Sequence, residues 1–387
     1  MQYIRLGDIA SIAAGQGAPQ GAENYSEYGT PFVKAGNLAE LTSGTSEDAI
    51  QKVSDEVAAK HKLKLFPQGT VLFAKSGMSC MKGYVYTLSR DCYVVSHLAC
   101  ITPHTVESEY LKYYFEFHRP NQLVKDAAYP SISLSDIAEL PIAVFDQEKR
   151  QEIIHNLDVV SGLIEKKQQI LSLMDLAVKS RFIELFGTEA DLNRWPCCTI
   201  GDVADVCVGV VIKPTQYYTD MGVPAFRSLN IGEMRVKDAD WVYFTEEGHQ
   251  KNQKSVIRKN DVLVVRSGAP GTACVATEKY EGYNAVDIII AHPDNNKVNS
   301  VFLAAYTNMP HGMTQIREKT GGAAQQHFNV GGYKAMRLIM PPMELQEQFA
   351  TFVEQTDKSK FFACQTLSFL LKLANNLQSW REKQYDY

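Results

Sequence analysis

Apolar residues between 153 and 185 recur in steps of three and four. Ile153, Leu157, Val160, Ile164, Leu171, Met174, Val178 and Leu185 are separated by threes, fours or their sum, and Lys167 fills the missing place. Phe349, Phe352, Thr356, Lys360, Ala363, Leu367, Leu370, Ala374 and Leu377 repeat the pattern near the other end. A mean spacing of about 3.5 residues is the period of a coiled-coil seam. It predicts two long helices, over residues 146–187 and 343–387. Each would be ~60 Å long at ~1.5 Å per residue. A lone helix with such a seam is not stable in water. The two seams are therefore expected to pack on each other as an antiparallel pair. Packing of each helix on its own globe, or on another chain, is the alternative. Gly162 weakens the first helix by about 1 kcal/mol relative to Ala, and the polar stretch Thr356 to Lys360 leaves the second seam imperfect.

Outside the helices the pattern shortens. Runs of β-branched and aromatic residues bounded by Gly and Pro predict strands at Val71–Ala74, Tyr84–Leu88, Tyr93–Val95, Val262–Val265 and Val286–Ile290. These segments also repeat. Leu6-Gly7-Asp8-Ile9-Ala10 returns as Ile200-Gly201-Asp202-Val203-Ala204. The stretch from Gly29 to Asn37 returns from Gly222 to Asn230, and Gly69 to Gly77 returns as Asn260 to Gly268. Ile132-Ser133 and Leu140-Pro141-Ile142 line up with Phe328-Asn329 and Leu338-Ile339-Met340-Pro341. Recurrence in one order means two copies of one unit. The expected plan is mixed α/β or α+β: a globe over 1–145, a helix over 146–187, a second globe over 188–342 and a second helix over 343–387.

The paired segments carry the candidate chemistry. Lys75-Ser76-Gly77 and Arg266-Ser267-Gly268 each end an apolar strand with a cation, a hydroxyl and a glycine, groups that suit a phosphate. Lys34 with Asn37, and Arg227 with Asn230, likewise put a cation near an amide. Before each closing motif come Tyr129-Pro130-Ser131 in one copy and Gln325-Gln326-His327 in the other. Amides can pair with a base edge, and an aromatic ring can pack on a base or sugar. Exposed surface turns explain the same residues; recurrence at one place in both copies is what favours binding.

Composition narrows the classes. Hydrophobic residues are 45% and charged residues 21%, a globular mixture. No apolar run reaches the length of a membrane span, and Met1 to Arg5 lacks the features of a signal peptide. The eight cysteines form no C-x-x-C pair, which fits a reduced cytoplasm rather than a zinc ribbon or a disulfide framework. Phosphate-loop, dinucleotide, nucleophile-elbow and zinc-protease motifs are all missing, so no catalytic centre and no cofactor of the chain's own is expected. His97, His104 and His118 read as structural or surface residues. The net charge of −5 gives little non-specific attraction for DNA, so any DNA contact needs a partner to supply part of it.

The whole chain resembles the specificity (S) subunit of type I restriction–modification systems. The resemblance rests on the doubled Leu6-Gly7-Asp8-Ile9 and Ile200-Gly201-Asp202-Val203 openings and the doubled Val71 to Gly77 and Val262 to Gly268 segments. Pro341-Pro342-Met343-Glu344-Leu345-Gln346-Glu347-Gln348 leads into the last helix in the same manner, although the first copy has Val144-Phe145-Asp146-Gln147-Glu148 without the double proline. The resemblance implies two target recognition domains, each reading one part of a split double-stranded DNA sequence. It also implies a helical spacer that docks two modification (methyltransferase) subunits using S-adenosylmethionine, with restriction subunits in the full complex. The chain itself would not be a catalyst. A protein-interaction scaffold on a coiled-coil rod, without nucleic acid, is the competing reading.

Overall fold

The structure, a computed structural model, describes residues 1–191, 193–320 and 327–379. It divides into two units: residues 1–168 with the chain from 366 onward, and residues 169–365. In the first unit β1 (Ala10–Ala14), β2 (Val71–Ala74), β3 (Val85–Thr87) and β4 (Leu98–Pro103) form an antiparallel sheet in the order β1-β4-β2-β3. In the second, β5 (Ala204–Val208), β6 (Val262–Val265), β7 (Ala273–Val275) and β8 (Ile288–Pro293) form the same sheet in the order β5-β8-β6-β7. The repeat in the sequence is thus a repeat in topology. Each unit also carries a smaller sheet with one parallel pairing, Thr30–Val33 with Cys92–Val94 in the first and Val223–Phe226 with Asn284–Ala285 in the second.

The central strands read as unbroken apolar runs because both faces are covered. Val71 and Phe73 enter one core while Leu72 and Ala74 enter the other. Val262 and Val264 part from Leu263 and Val265 in the same way. Alternate side chains point to opposite faces of a strand, so one run serves two cores. Gly15 and Gly209 occupy matching places where the sheets meet. A Cβ at Gly15 would lie 2.1 Å from Val94 O, and one at Gly209 would lie 2.6 Å from Ala285 O. Close backbone approach requires glycine there.

One strand expectation is corrected. Val286–Ile290 is not continuous: Asn284–Ala285 belongs to the small sheet, Ile288–Pro293 to the large one, and Asp287 between them has φ 49°. The left-handed residue redirects the chain from one sheet to the other. In the first unit the strand is Cys92–Val94, and Val95 to His97 make the corresponding passage into β4. An apolar run shows the strands but hides the corner.

The long helices are α1 (Gln147–Phe186) and α2 (Met343–Ser379). The seam positions are the sheltered ones: Leu157, Val160 and Val178 are buried, and Ile164, Lys167, Leu171 and Met174 are half-buried. On α2 Phe349, Ala363 and Leu370 are buried, while Phe352, Thr356, Lys360, Leu367 and Ala374 are half-buried. Within the second unit the helices pair antiparallel, with Phe349 packed on Phe182 and Phe186 at one end and Lys360 Nζ 2.7 Å from Asp175 at the other. Lys360 keeps its place in the seam because its amine reaches a carboxylate while its stem stays against the partner helix. Packing on the globes occurs as well. Arg150 of α1 bonds Glu107 at 2.7 Å and Tyr113 donates to Asp158 at 2.5 Å in the first unit. Phe182 and Phe186, which the seam count passed over, enter the core of the second.

Candidate nucleic-acid interface

The end of β2 runs on as Lys75-Ser76-Gly77 and meets the Tyr129–Ser131 segment. Ser76 and Ser131 form an antiparallel bridge, Gly77 N–H donates to Pro130 O at 3.0 Å, and Ile132 N–H donates to Lys75 O at 2.8 Å. Two candidate segments more than fifty residues apart in the chain are therefore one surface. The second unit repeats the junction, where Phe328 N–H donates to Arg266 O at 3.0 Å and brings His327 beside Ser267. Gln325 and Gln326 lie outside the described residues.

Each serine hydroxyl meets an imidazole, but the histidine comes from a different place in each copy. Ser76 Oγ is 2.8 Å from His97 Nδ1, and His97 stands in the passage into β4. Ser267 Oγ is 2.7 Å from His327 Nδ1, and His327 stands where the first unit has Ser131. His97 was expected to be only a structural or surface residue; the fold puts it on the candidate site. Its signal was weak in the sequence because its partner is 21 residues away.

The two cations differ in what they face. Arg266 Nη1 is 2.5 Å from Asp287, its Nε donates to Phe328 O at 3.1 Å, and its side chain is only 16% exposed. That guanidinium holds the corner, which departs from its expected role as a free phosphate contact. Lys75 has His97 where Arg266 has Asp287, so its amine meets no carboxylate among the described residues. The glycine N–H expected to be open at position 77 is used by Pro130. Gly268, at φ 85°, has open space around it.

The Lys34–Asn37 and Arg227–Asn230 pairs are turns built alike. Asn37 Oδ1 accepts from Lys34 N–H and Asn230 Oδ1 from Arg227 N–H, each at 2.9 Å. Asn230 is fully buried and donates to Ala239 O at 2.7 Å, so its amide braces a loop and does not face a ligand. Arg227 Nη2 donates to Asp240 O at 2.5 Å. Lys34 lies 4.1 Å above the Tyr25 ring and donates to Gln51 at 2.7 Å. Val95 N–H donates to Val33 O, and His97 O accepts from Lys75 N–H, so the 95–97 passage joins the Lys34 and Lys75 ends of the surface. Tyr129 is 82% exposed, a large aromatic face free to pack on a base or sugar.

Lys75→Ala is expected to weaken DNA binding about equally on every sequence and to lower the salt slope by roughly one unit. Arg266→Ala should act differently, loosening the corner by leaving Asp287 without its cation. Binding titrations at several salt concentrations separate the two; an unchanged slope for Lys75→Ala would make that residue a plain surface cation.

The model of the type I restriction modification DNA specificity domain matches residues 1–173. The specificity subunit of the type I restriction enzyme MjaIX from Methanocaldococcus jannaschii is 29% identical over 179 residues, 44% of this chain and 40% of that protein. The match thus spans about two fifths of the curated relative's length. Among solved structures, the S subunit of the type I restriction-modification system from M. genitalium superposes with a TM-score of 0.57 at 14% identity, covering 97% of this chain and 94% of that one. A chain from work on complex assembly and conformational transition of the type I R-M system gives 0.53 at 16% identity, covering 98% and 96%. At such identities the structural likeness shows the fold, and it runs the length of the chain. Residues 1–173 thus match the type I restriction modification DNA specificity domain, and the chain as a whole shares its fold with the S subunit from M. genitalium.

Proposed function

We propose that the chain is the DNA-recognition subunit of a type I restriction–modification enzyme, reading an asymmetric bipartite double-stranded target. The observation that carries this is one sheet and one loop junction built twice with different loop chemistry. Serine–histidine pairs sit at both ends, while in one unit Tyr129 is exposed and Lys75 is half-buried, and in the other Arg266 is tied to Asp287. Identical loops would suit a palindrome; unlike loops suit two different half-sites.

The helices serve as the dock for two methyltransferase subunits, which bring S-adenosylmethionine, with restriction subunits joining in the full complex. Leu173, Leu176, Phe361 and Phe369 are exposed on faces of α1 and α2 turned away from the seam, as protein contacts require. The chain works in the cytoplasm and leaves DNA methylation and cleavage to its partner subunits. Among the described residues no helix is long and apolar enough to cross a membrane. A net charge of −5 leaves the partners to supply much of the attraction for phosphates.

Filter binding of mixed duplexes, with and without the methyltransferase subunit, tests the reading. Retention of one bipartite sequence when the partner is present is the expected result. Failure to retain any duplex in either condition would favour a scaffold that binds only proteins.

A further inference from the structure

Three ionisable side chains of the second unit converge at the far end of β6 from Arg266. The register sets Asp205 opposite His292 and Cys207 opposite Ile290, so Cys207 and His292 are diagonal neighbours on one face of the sheet. Asp261 immediately precedes β6, whose Val262 pairs with Ala291, and this brings its carboxylate to His292. Asp261 Oδ1 lies 2.6 Å from His292 Nδ1, and Oδ2 accepts Arg258 N–H at 2.7 Å. On the other side of the ring, Nε2 is 3.7 Å from Cys207 Sγ, which also lies 3.3 Å from Lys254 O. The order is carboxylate, imidazole, sulfur, with each ring nitrogen aimed at one neighbour.

The first unit shows that the fold does not need this set. Its matching positions, by the same registers, are Thr70, Thr102 and Ala13. There Thr70 Oγ1 meets Thr102 Oγ1 at 3.0 Å, and no sulfur follows. Two threonines and an alanine close the sheet at no cost in buried charge. Asp261 is 2% exposed and His292 13% in its side chain, so the second unit bears a desolvation cost the first avoids. What the exchange adds is an imidazole held beside a thiol.

We infer that Cys207 is a nucleophilic thiol, with His292 as the cation that faces its sulfur and Asp261 as the residue that positions the ring, and that it reacts with low-molecular-weight disulfides. The thiol loses its proton to solvent, and the thiolate, beside the imidazolium, attacks one sulfur of the disulfide. A new S–S bond forms as the old one breaks, and the departing thiolate takes a proton from solvent. Cys207 is left in a mixed disulfide. Exchange of this kind asks for a thiolate and access rather than an enclosed substrate pocket. Cys207 is partly exposed, and His292 lines an open cleft whose other charged groups are Asp202, Asp205, Arg258, Asp294, Lys297 and Lys334.

The electrostatics agree. The hydrogen bond to Asp261 and then that to Cys207, against the opposing effect of burial, raise His292 to about 9. The ring is therefore a cation at neutral pH. Cys92, Cys100 and Cys274 are buried and pushed up to about 12 by that burial. Cys364, exposed on α2, is the internal standard.

The test treats the reduced full-length chain with oxidised glutathione near neutral pH and follows each cysteine by peptide mass mapping. Cys207 should form its mixed disulfide at least ~10-fold faster than Cys364. The double variant Asp261→Thr with His292→Thr installs the first unit's own solution, so the sheet has a precedent for it. It should slow Cys207 about tenfold and leave Cys364 unchanged. Cys207 reacting no faster than Cys364, or a variant with the native rate, would overturn the assignment. The native comparison decides even if the variant folds poorly.

Discussion

Exchanging residues 1–145 for the matching segment of a relative is expected to replace one half of the DNA target and leave the other half as it was. The first sheet, the 95–97 passage, Lys75 and Tyr129 all travel with that segment. The exchange ends after Pro141–Val144 because that strand pairs with Gln2–Arg5, and a break between them would divide a pair of strands. Base-edge contacts are worth about 1–3 kcal/mol each, so several lost together abolish recognition of the old half-site. The second sheet and its His327 junction are untouched. Methylation or binding selection on randomised duplexes reads both halves at once. A change in both would mean that the units do not divide the target between them.

Phe182→Ala is expected to destabilise the second unit by ~3–5 kcal/mol, the usual cost of emptying a buried phenylalanine site. Phe182 is fully buried where four rings meet, with centroids 4.8 Å away at Phe186, 5.8 Å at Phe302, 5.4 Å at Phe349 and 5.5 Å at His311. It therefore ties α1 to α2 and to the core beneath them. Burial also pushes the His311 ring below its usual value, so the cluster stays apolar at neutral pH. Ile183→Ala, one residue on and 42% exposed, is the control and should cost under ~0.5 kcal/mol. Urea unfolding followed by tryptophan fluorescence measures both, since Trp195 and Trp241 lie in this unit. A loss below ~1 kcal/mol for Phe182→Ala would mean that neighbouring side chains close the gap.

Much of the architecture is legible along the chain because its causes are local. A period of 3.5 residues needs no knowledge of distant partners, and the positions it picks on α1 and α2 are the sheltered ones from Leu157 to Ala374. The doubled segments lead to doubled sheets because equal apolar runs bury equal faces. Lys75 and Tyr129 could be nominated for the same reason: a cation after a strand and an aromatic in a polar loop are visible one residue at a time. What those neighbours do to each other was not visible. Arg266 is spent on Asp287, Asn230 on a loop carbonyl, and Ser76 on His97, contacts that span 21, 9 and 21 residues. Asp261, His292 and Cys207 are scattered over 85 residues and meet only through strand register. Sequence by itself determined the helices, their seams, the repeat and the chemical groups on offer, because backbone periodicity and burial act over a few residues. Tertiary structure alone decided which of those groups stay free for a ligand, because a charge or an amide is claimed by whatever partner the sheets bring within 3 Å.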